Sequence, residues 1–151
     1  MTLPAAQPAA RPTILRFLAA MAAGNLLWEV AQVPLYTLWV DGSWGQIGYA
    51  VLHCTVGDVM IAGICLLLSL AVLGRNAWPL QRFGAVAAAT VLLALSYTIF
   101  SEWLNTEVRE SWAYREAMPR LPVLGTGLTP VLQLIVVPVL GFRWAPPRAG
   151  R

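Results

Sequence analysis

Ile47-Gly-Tyr-Ala-Val-Leu-His53-Cys-Thr-Val-Gly-Asp58-Val-Met-Ile-Ala-Gly-Ile-Cys-Leu-Leu-Leu-Ser-Leu-Ala-Val-Leu73 is an apolar run of 27 residues that carries one histidine and one aspartate. At about 1.5 Å rise per residue, a helix of this length exceeds the roughly 30 Å hydrocarbon core of a bilayer. Outward from it, comparable runs lie on both sides. The expected spans are 13–38, 47–73, 85–103 and 122–142, each predicted as a helix. Gly74-Arg75-Asn76 ends the second run, and Arg143 with the prolines after it ends the fourth. The reading is an all-α polytopic membrane protein, a bundle of four transmembrane helices in one domain covering 13–142. Residues 1–12, with Pro4, Pro8 and Pro12 among alanines, read as a disordered tail. Residues 143–151 read as a second, cytoplasmic tail.

Composition supports the class. Of 151 residues, 58% are hydrophobic and 11% charged, against about 25% charged in soluble domains. All ten basic residues are arginines, and the net charge is +3. They are scattered singly or in pairs with no basic stripe, which argues against a nucleic-acid partner. Their placement instead sets an orientation. Arg11, Arg16, Arg75, Arg82, Arg143, Arg148 and Arg151 fall on one side of the expected membrane, and Arg109, Arg115 and Arg120 on the other. Because cytoplasmic loops carry the arginine excess, both termini are expected in the cytoplasm. All seven acids, Glu29, Asp41, Asp58, Glu102, Glu107, Glu110 and Glu116, then lie toward the outer side. Trp39, Trp44, Trp103 and Trp112 fall near the outer boundary and Trp78 and Trp144 near the inner one, as aromatic belts do.

Polar residues inside the spans follow helical spacing. Asn25, Glu29, Gln32 and Tyr36 are spaced +4, +3 and +4, keeping them within about 60° of one another on the first helix. The second helix carries His53, Cys54, Gly57 and Asp58; His53 and Asp58 are about 140° apart and do not form a chelating pair. The third has Thr90, Tyr97 and Ser101 along one expected face with Thr98 and Glu102 beside it, and the fourth has Thr126, Thr129 and Gln133. Interhelical hydrogen bonds alone account for Asn25, Thr129 and Gln133. Glu29 and Asp58 are harder to explain that way, because ionisable groups at membrane depth are costly and mark functional sites. The expected ligand-binding set is Asn25, Glu29, Gln32, His53, Asp58, Tyr97, Glu102 and Gln133; the catalytic candidates are Glu29, His53 and Asp58. No spacing demands a metal site, and no cofactor is indicated. Cys54 and Cys65 lie about 16 Å apart along one helix, too far to pair. Nucleophile-elbow, phosphate-loop and paired-cysteine motifs are absent.

Trp28-Glu-Val-Ala-Gln-Val-Pro, His53-Cys-Thr-Val-Gly-Asp, Phe100-Ser-Glu-Trp-Leu-Asn and Gly125-Thr-Gly-Leu-Thr-Pro together make the chain resemble an uncharacterised family of small bacterial four-helix inner-membrane proteins. That resemblance implies a location in the bacterial inner membrane and no activity. The segment Glu29-Val-Ala-Gln-Val-Pro is also locally similar to the EXPERA family of sterol isomerases and sterol-binding proteins, which makes an apolar ligand conceivable. Three functions stay open. One is an outward-facing intramembrane pocket that binds or moves a small or apolar ligand. Another is a membrane-embedded enzyme acting on a lipid-like substrate. The third is an accessory subunit of a larger membrane complex. Besides the lipid bilayer and such a ligand, a homo- or hetero-oligomeric partner also stays open.

Overall fold

The computed structural model describes residues 10–74, 78–122 and 125–146. Among these, the chain forms helices and no strand: α1 Ala10–Gln32, a 3-10 turn Val33–Leu35, α2 Leu38–Asp41, α3 Trp44–Ser69, α4 Phe83–Trp103 and α5 Leu128–Trp144. One π turn, Leu70–Gly74, continues α3, and another, Leu104–Val108, continues α4. With these extensions, three helices are long and apolar enough to cross a membrane: Ala10–Leu35, Trp44–Gly74 and Phe83–Val108. Leu128–Trp144 is equally apolar in character but shorter.

Several boundaries differ from expectation for identifiable reasons. The first helix begins at Ala10, taking Pro12 into its first turn, where the missing N–H costs nothing; residues 1–9 lie outside the described residues. It ends at Gln32 rather than 38, because Pro34 lacks an N–H and the chain tightens into the 3-10 turn. Ser43 then starts α3 with a capping box. Its hydroxyl accepts from the Gln46 amide, and the Gln46 side chain accepts from the Ser43 amide. The fourth helix starts at Leu128, not 122. Gly125 has φ +67°, and Leu121 N–H donates to Thr126 O while Leu128 N–H donates to Pro119 O. Those bonds hold the stretch in a turn that a helix cannot continue.

The main packing pairs are α1 with α3, α3 with α4, α4 with α5 and α5 with α1. Buried positions follow a near-strict +4 repeat: Thr13, Phe17, Met21, Asn25 and Glu29 on α1, and Val86, Thr90, Ala94, Thr98 and Glu102 on α4. Such i, i+4 rows are the ridges by which helices interdigitate. The rows change character along their length. At one end, Phe17, Met21, Leu66, Val86, Val137 and Phe142 form an apolar core, with the Phe17 and Phe142 rings 4.2 Å apart. Trp78 belongs to this core, 4% exposed and stacked on Phe83. At the other end the same rows turn polar. Outward, Leu27, Val30, Leu52, Met60, Leu67 and Leu92 are among the exposed apolar side chains.

Helices α1 and α5 are antiparallel along their full length. Arg16 Nη1 donates to Pro146 O at one end (3.2 Å), Phe17 meets Phe142, and Asn25 and Glu29 meet Gln133 toward the other. Gly24 allows the close approach between them, since a Cβ there would fall 2.6 Å from Val137 Cγ1.

Candidate functional site

The polar ends of three rows converge on Gln133. This α5 side chain is 1% exposed. Its Nε2 lies 3.1 Å from Asn25 Oδ1, 3.0 Å from Glu29 Oε1 and 2.8 Å from Asp58 Oδ2. Its Oε1 accepts from Gln32 Nε2 at 2.9 Å, and Gln32 Nε2 also donates to Glu29 Oε1 at 2.8 Å. One amide nitrogen thus touches residues of both α1 and α3. Having two hydrogens, it cannot serve three acceptors at once. The carboxyl groups of Glu29 and Asp58 are also within hydrogen-bonding reach of each other. Two carboxyls in that arrangement require a proton or another cation between them.

A cavity of about 770 Å³ opens over this cluster, with Glu29, Gln32, Asp58, Thr98, Glu102 and Gln133 on its walls. Its size falls within the range of small-molecule sites, about 300–1,000 Å³. Of the residues expected from the sequence, Asn25 is buried off the cavity wall, where its Oδ1 accepts from Gln133. His53 and Tyr97 line the cavity at exposed positions. The His53 ring stacks on Tyr49, with centroids 5.5 Å apart, and among the described residues it has no hydrogen bond to any of the three acids. On α4, the expected face through Thr90, Tyr97 and Ser101 is replaced by one through Thr90, Thr98 and Glu102, because packing follows the +4 row. Tyr97 is left 51% exposed.

The segment after α4 straps the open end. Tyr114 donates its hydroxyl proton to Glu102, and its ring sits 5.3 Å from that of Tyr36. Backbone bonds pin the strap to the α1–α2 connection: Thr37 N–H to Ala113 O at 2.9 Å, and Arg115 N–H to Leu35 O at 2.9 Å. The Arg115 guanidinium adds a bond to Pro34 O at 2.8 Å. Burial pushes the Tyr114 phenol above its ordinary range, and the nearby Glu102 charge pushes it the same way. Gly127 packs closely here, since a Cβ would come within 3.1 Å of both the Met118 sulfur and the Tyr114 ring. The π turn at Leu104–Val108 lies beside Glu102. There Asn105 and Thr106 side chains bond back to the Ser101 and Glu102 carbonyls, competing with regular helical pairing.

Tyr114 was not singled out from sequence, and Thr98 was placed beside the expected α4 face but outside the ligand-binding set. Tyr114 is a loop residue whose partner is 12 positions away, with no periodicity to betray it. Thr98 carries the +4 signal from Glu102, four residues on. Cys54 and Cys65 are free. Among the described residues, no group of three or more His, Cys, Asp or Glu is placed to hold a metal ion. The described residues define an all-helical protein with membrane-length apolar helices and a cavity in which linked polar side chains meet apolar walls. No family model, curated protein or solved structure matches the chain.

Proposed function

We propose that this is a four-span protein of the bacterial inner membrane whose outward-facing pocket binds or moves a small ligand. The carrying observation is the cavity whose wall is the linked side chains of Glu29, Gln32, Asp58 and Gln133 from three helices. The burial of Asn25, Glu29, Gln32 and Gln133 favours a pocket over an accessory subunit, whose polar seams would face a partner. The separation of His53 from the acids favours binding over acid–base catalysis, which needs a base within hydrogen-bond reach of what it serves.

The four-span reading rests on the antiparallel match of α1 and α5. If α1 crosses, α5 crosses beside it, with the turn at 119–127 supplying the reach its 17 residues lack. Cysteine accessibility tests the pocket. In a Cys65→Ser background, Cys54 and an introduced Ser101→Cys both line the cavity. A small membrane-impermeant methanethiosulfonate should modify both positions from the periplasmic side of intact cells. Modification only in inverted vesicles would overturn the outward orientation. Protection of both positions from either side would overturn the pocket.

A further inference from the structure

We infer that the cavity takes a small organic ammonium ion: a protonated amine carrying a compact apolar body. This rests on the pocket reading above and names its ligand class. The wall over Gln133 carries more acceptors than free donors; elsewhere on the cavity wall the Trp112 indole N–H is a donor within reach of Glu102. Gln32 Nε2 is committed to Glu29 and to Gln133 Oε1, and Gln133 Nε2 to Glu29, Asp58 and Asn25. A carboxylate offers about four acceptor sites, so both acids keep capacity facing the cavity they line.

Two further groups point independently to a ligand. Gln32 is 4% exposed and its Oε1 has no partner; its nitrogen is held on Glu29, so the amide cannot turn to relieve this. Thr98 is 6% exposed and its Oγ1 also has no partner. Both line the cavity. A buried polar atom left unpaired is costly; an N–H donor from a bound molecule would satisfy the Gln32 oxygen, which can only accept, and the Thr98 hydroxyl, which can do either.

The occupant has to bring both charge and several N–H groups. Among the described arginines, only Arg109 lines the cavity, and it is exposed on the segment following α4; Arg115 is occupied on Pro34 O. Among the described residues no three His, Cys, Asp or Glu side chains are placed together to hold a metal ion. An ammonium group supplies up to three donors directed at separate oxygens. The remaining volume is walled by Val33, Val51, Ile61 and Leu134, with Tyr36 and Trp112 also on the wall. Aliphatic and aromatic walls of this kind suit an apolar body, and aromatic faces attract cations.

The test uses three probes of one shape, benzylammonium, benzyl alcohol and benzoate, titrated calorimetrically against the full chain in lipid nanodiscs, with empty nanodiscs subtracted. Benzylammonium should bind saturably and more tightly than the other two. Losing a charged hydrogen-bond partner should weaken it roughly tenfold or more in Glu29→Gln and in Asp58→Asn. Thr98→Val keeps the side-chain shape, and should weaken benzylammonium several-fold at an unchanged melting temperature. It decides the matter if the acid variants fail to fold. Benzyl alcohol or benzoate binding as tightly as benzylammonium would overturn the ammonium assignment while leaving the pocket intact. Saturable binding by none of the three would overturn both. Benzylammonium binding unaffected by Thr98→Val and by whichever acid variants fold would place it elsewhere and overturn the inference.

Discussion

Gln133 holds the site together, and its bonds are unequal. Its nitrogen reaches the two acids at 2.8 and 3.0 Å and Asn25 at 3.1 Å, while Asn25 Nδ2 is buried with no partner of its own. Asn25 therefore contributes one stretched bond and carries an unsatisfied donor, whereas Gln133 serves every other member of the cluster. Replacing Asn25 by leucine removes both the bond and the unsatisfied group, and removal of paired polar atoms by an apolar group of similar shape is close to neutral. Gln133→Leu takes the amide partner from Asp58 and Asn25 and removes one of the partners of Glu29 and of the Gln32 nitrogen. The expected loss is about 1–3 kcal/mol or more, tempered because membrane hydrogen bonds average only about 0.6 kcal/mol each. Thermal unfolding in detergent should rank Gln133→Leu clearly below the parent and Asn25→Leu near it. Equal melting temperatures for the two variants would mean that Gln133 is not the hub. The sequence exposed only half of this arrangement. Asn25, Glu29 and Gln32 were legible because helical spacing makes a stripe visible. That Gln133 lies opposite them was not, since its partners are 75 to 108 residues away and no local pattern encodes that distance.

At the scale of the element, apolar length made the three long helices legible, and what escaped were their ends. Pro34 and Gly125 each cut short a run that hydropathy alone extends, because hydropathy does not register a missing N–H or a positive φ. The face each helix buries also escaped in part. In a lipid-facing helix the exposed side is as apolar as the core, so the usual contrast that marks an inner face is weak. Packing then follows the ridge that fits rather than the stripe that looks polar, as Thr98 displacing Tyr97 on α4 illustrates. Small residues decide where such ridges meet. Gly24 sits where a Cβ would press to 2.6 Å from Val137 Cγ1, a branched side chain with little freedom, while Gly48 has nothing within 4 Å. In helix propensity alone both would gain about 1 kcal/mol from alanine. Gly48→Ala should hold or raise the melting temperature, and Gly24→Ala should lower it by prying α5 from α1. A Gly24→Ala protein as stable as Gly48→Ala would show that the α1–α5 contact is looser than the structure has it.

For the whole molecule, the matching of α1 and α5 converts a local packing fact into a constraint on topology. Arg16 meets Pro146 at the apolar end, and Tyr114 meets Glu102 at the polar end, so the start of α1 and the end of α5 lie toward one end while the strap closes the other. Seven of the ten arginines belong in sequence to the end carrying the termini and three to the strap segment; Arg75, Arg148 and Arg151 are counted from sequence and lie outside the described residues. Each arginine near an insertion boundary biases orientation toward the cytoplasm. A reporter active only in the cytoplasm, fused after Arg151, should therefore be active, and one requiring export should be active when inserted beside Arg109. Should α5 lie along the membrane surface instead, its pairing with α1 would be lost. Should the arginine bias be overridden, both reporters would invert together. Inversion would move the cavity and its acids to the cytoplasmic face, where the ligand would come from inside the cell. Two reporters active on the same side would break the four-span reading itself, because an odd number of crossings between Arg109 and Arg151 is what the α4–α5 packing requires once both helices cross.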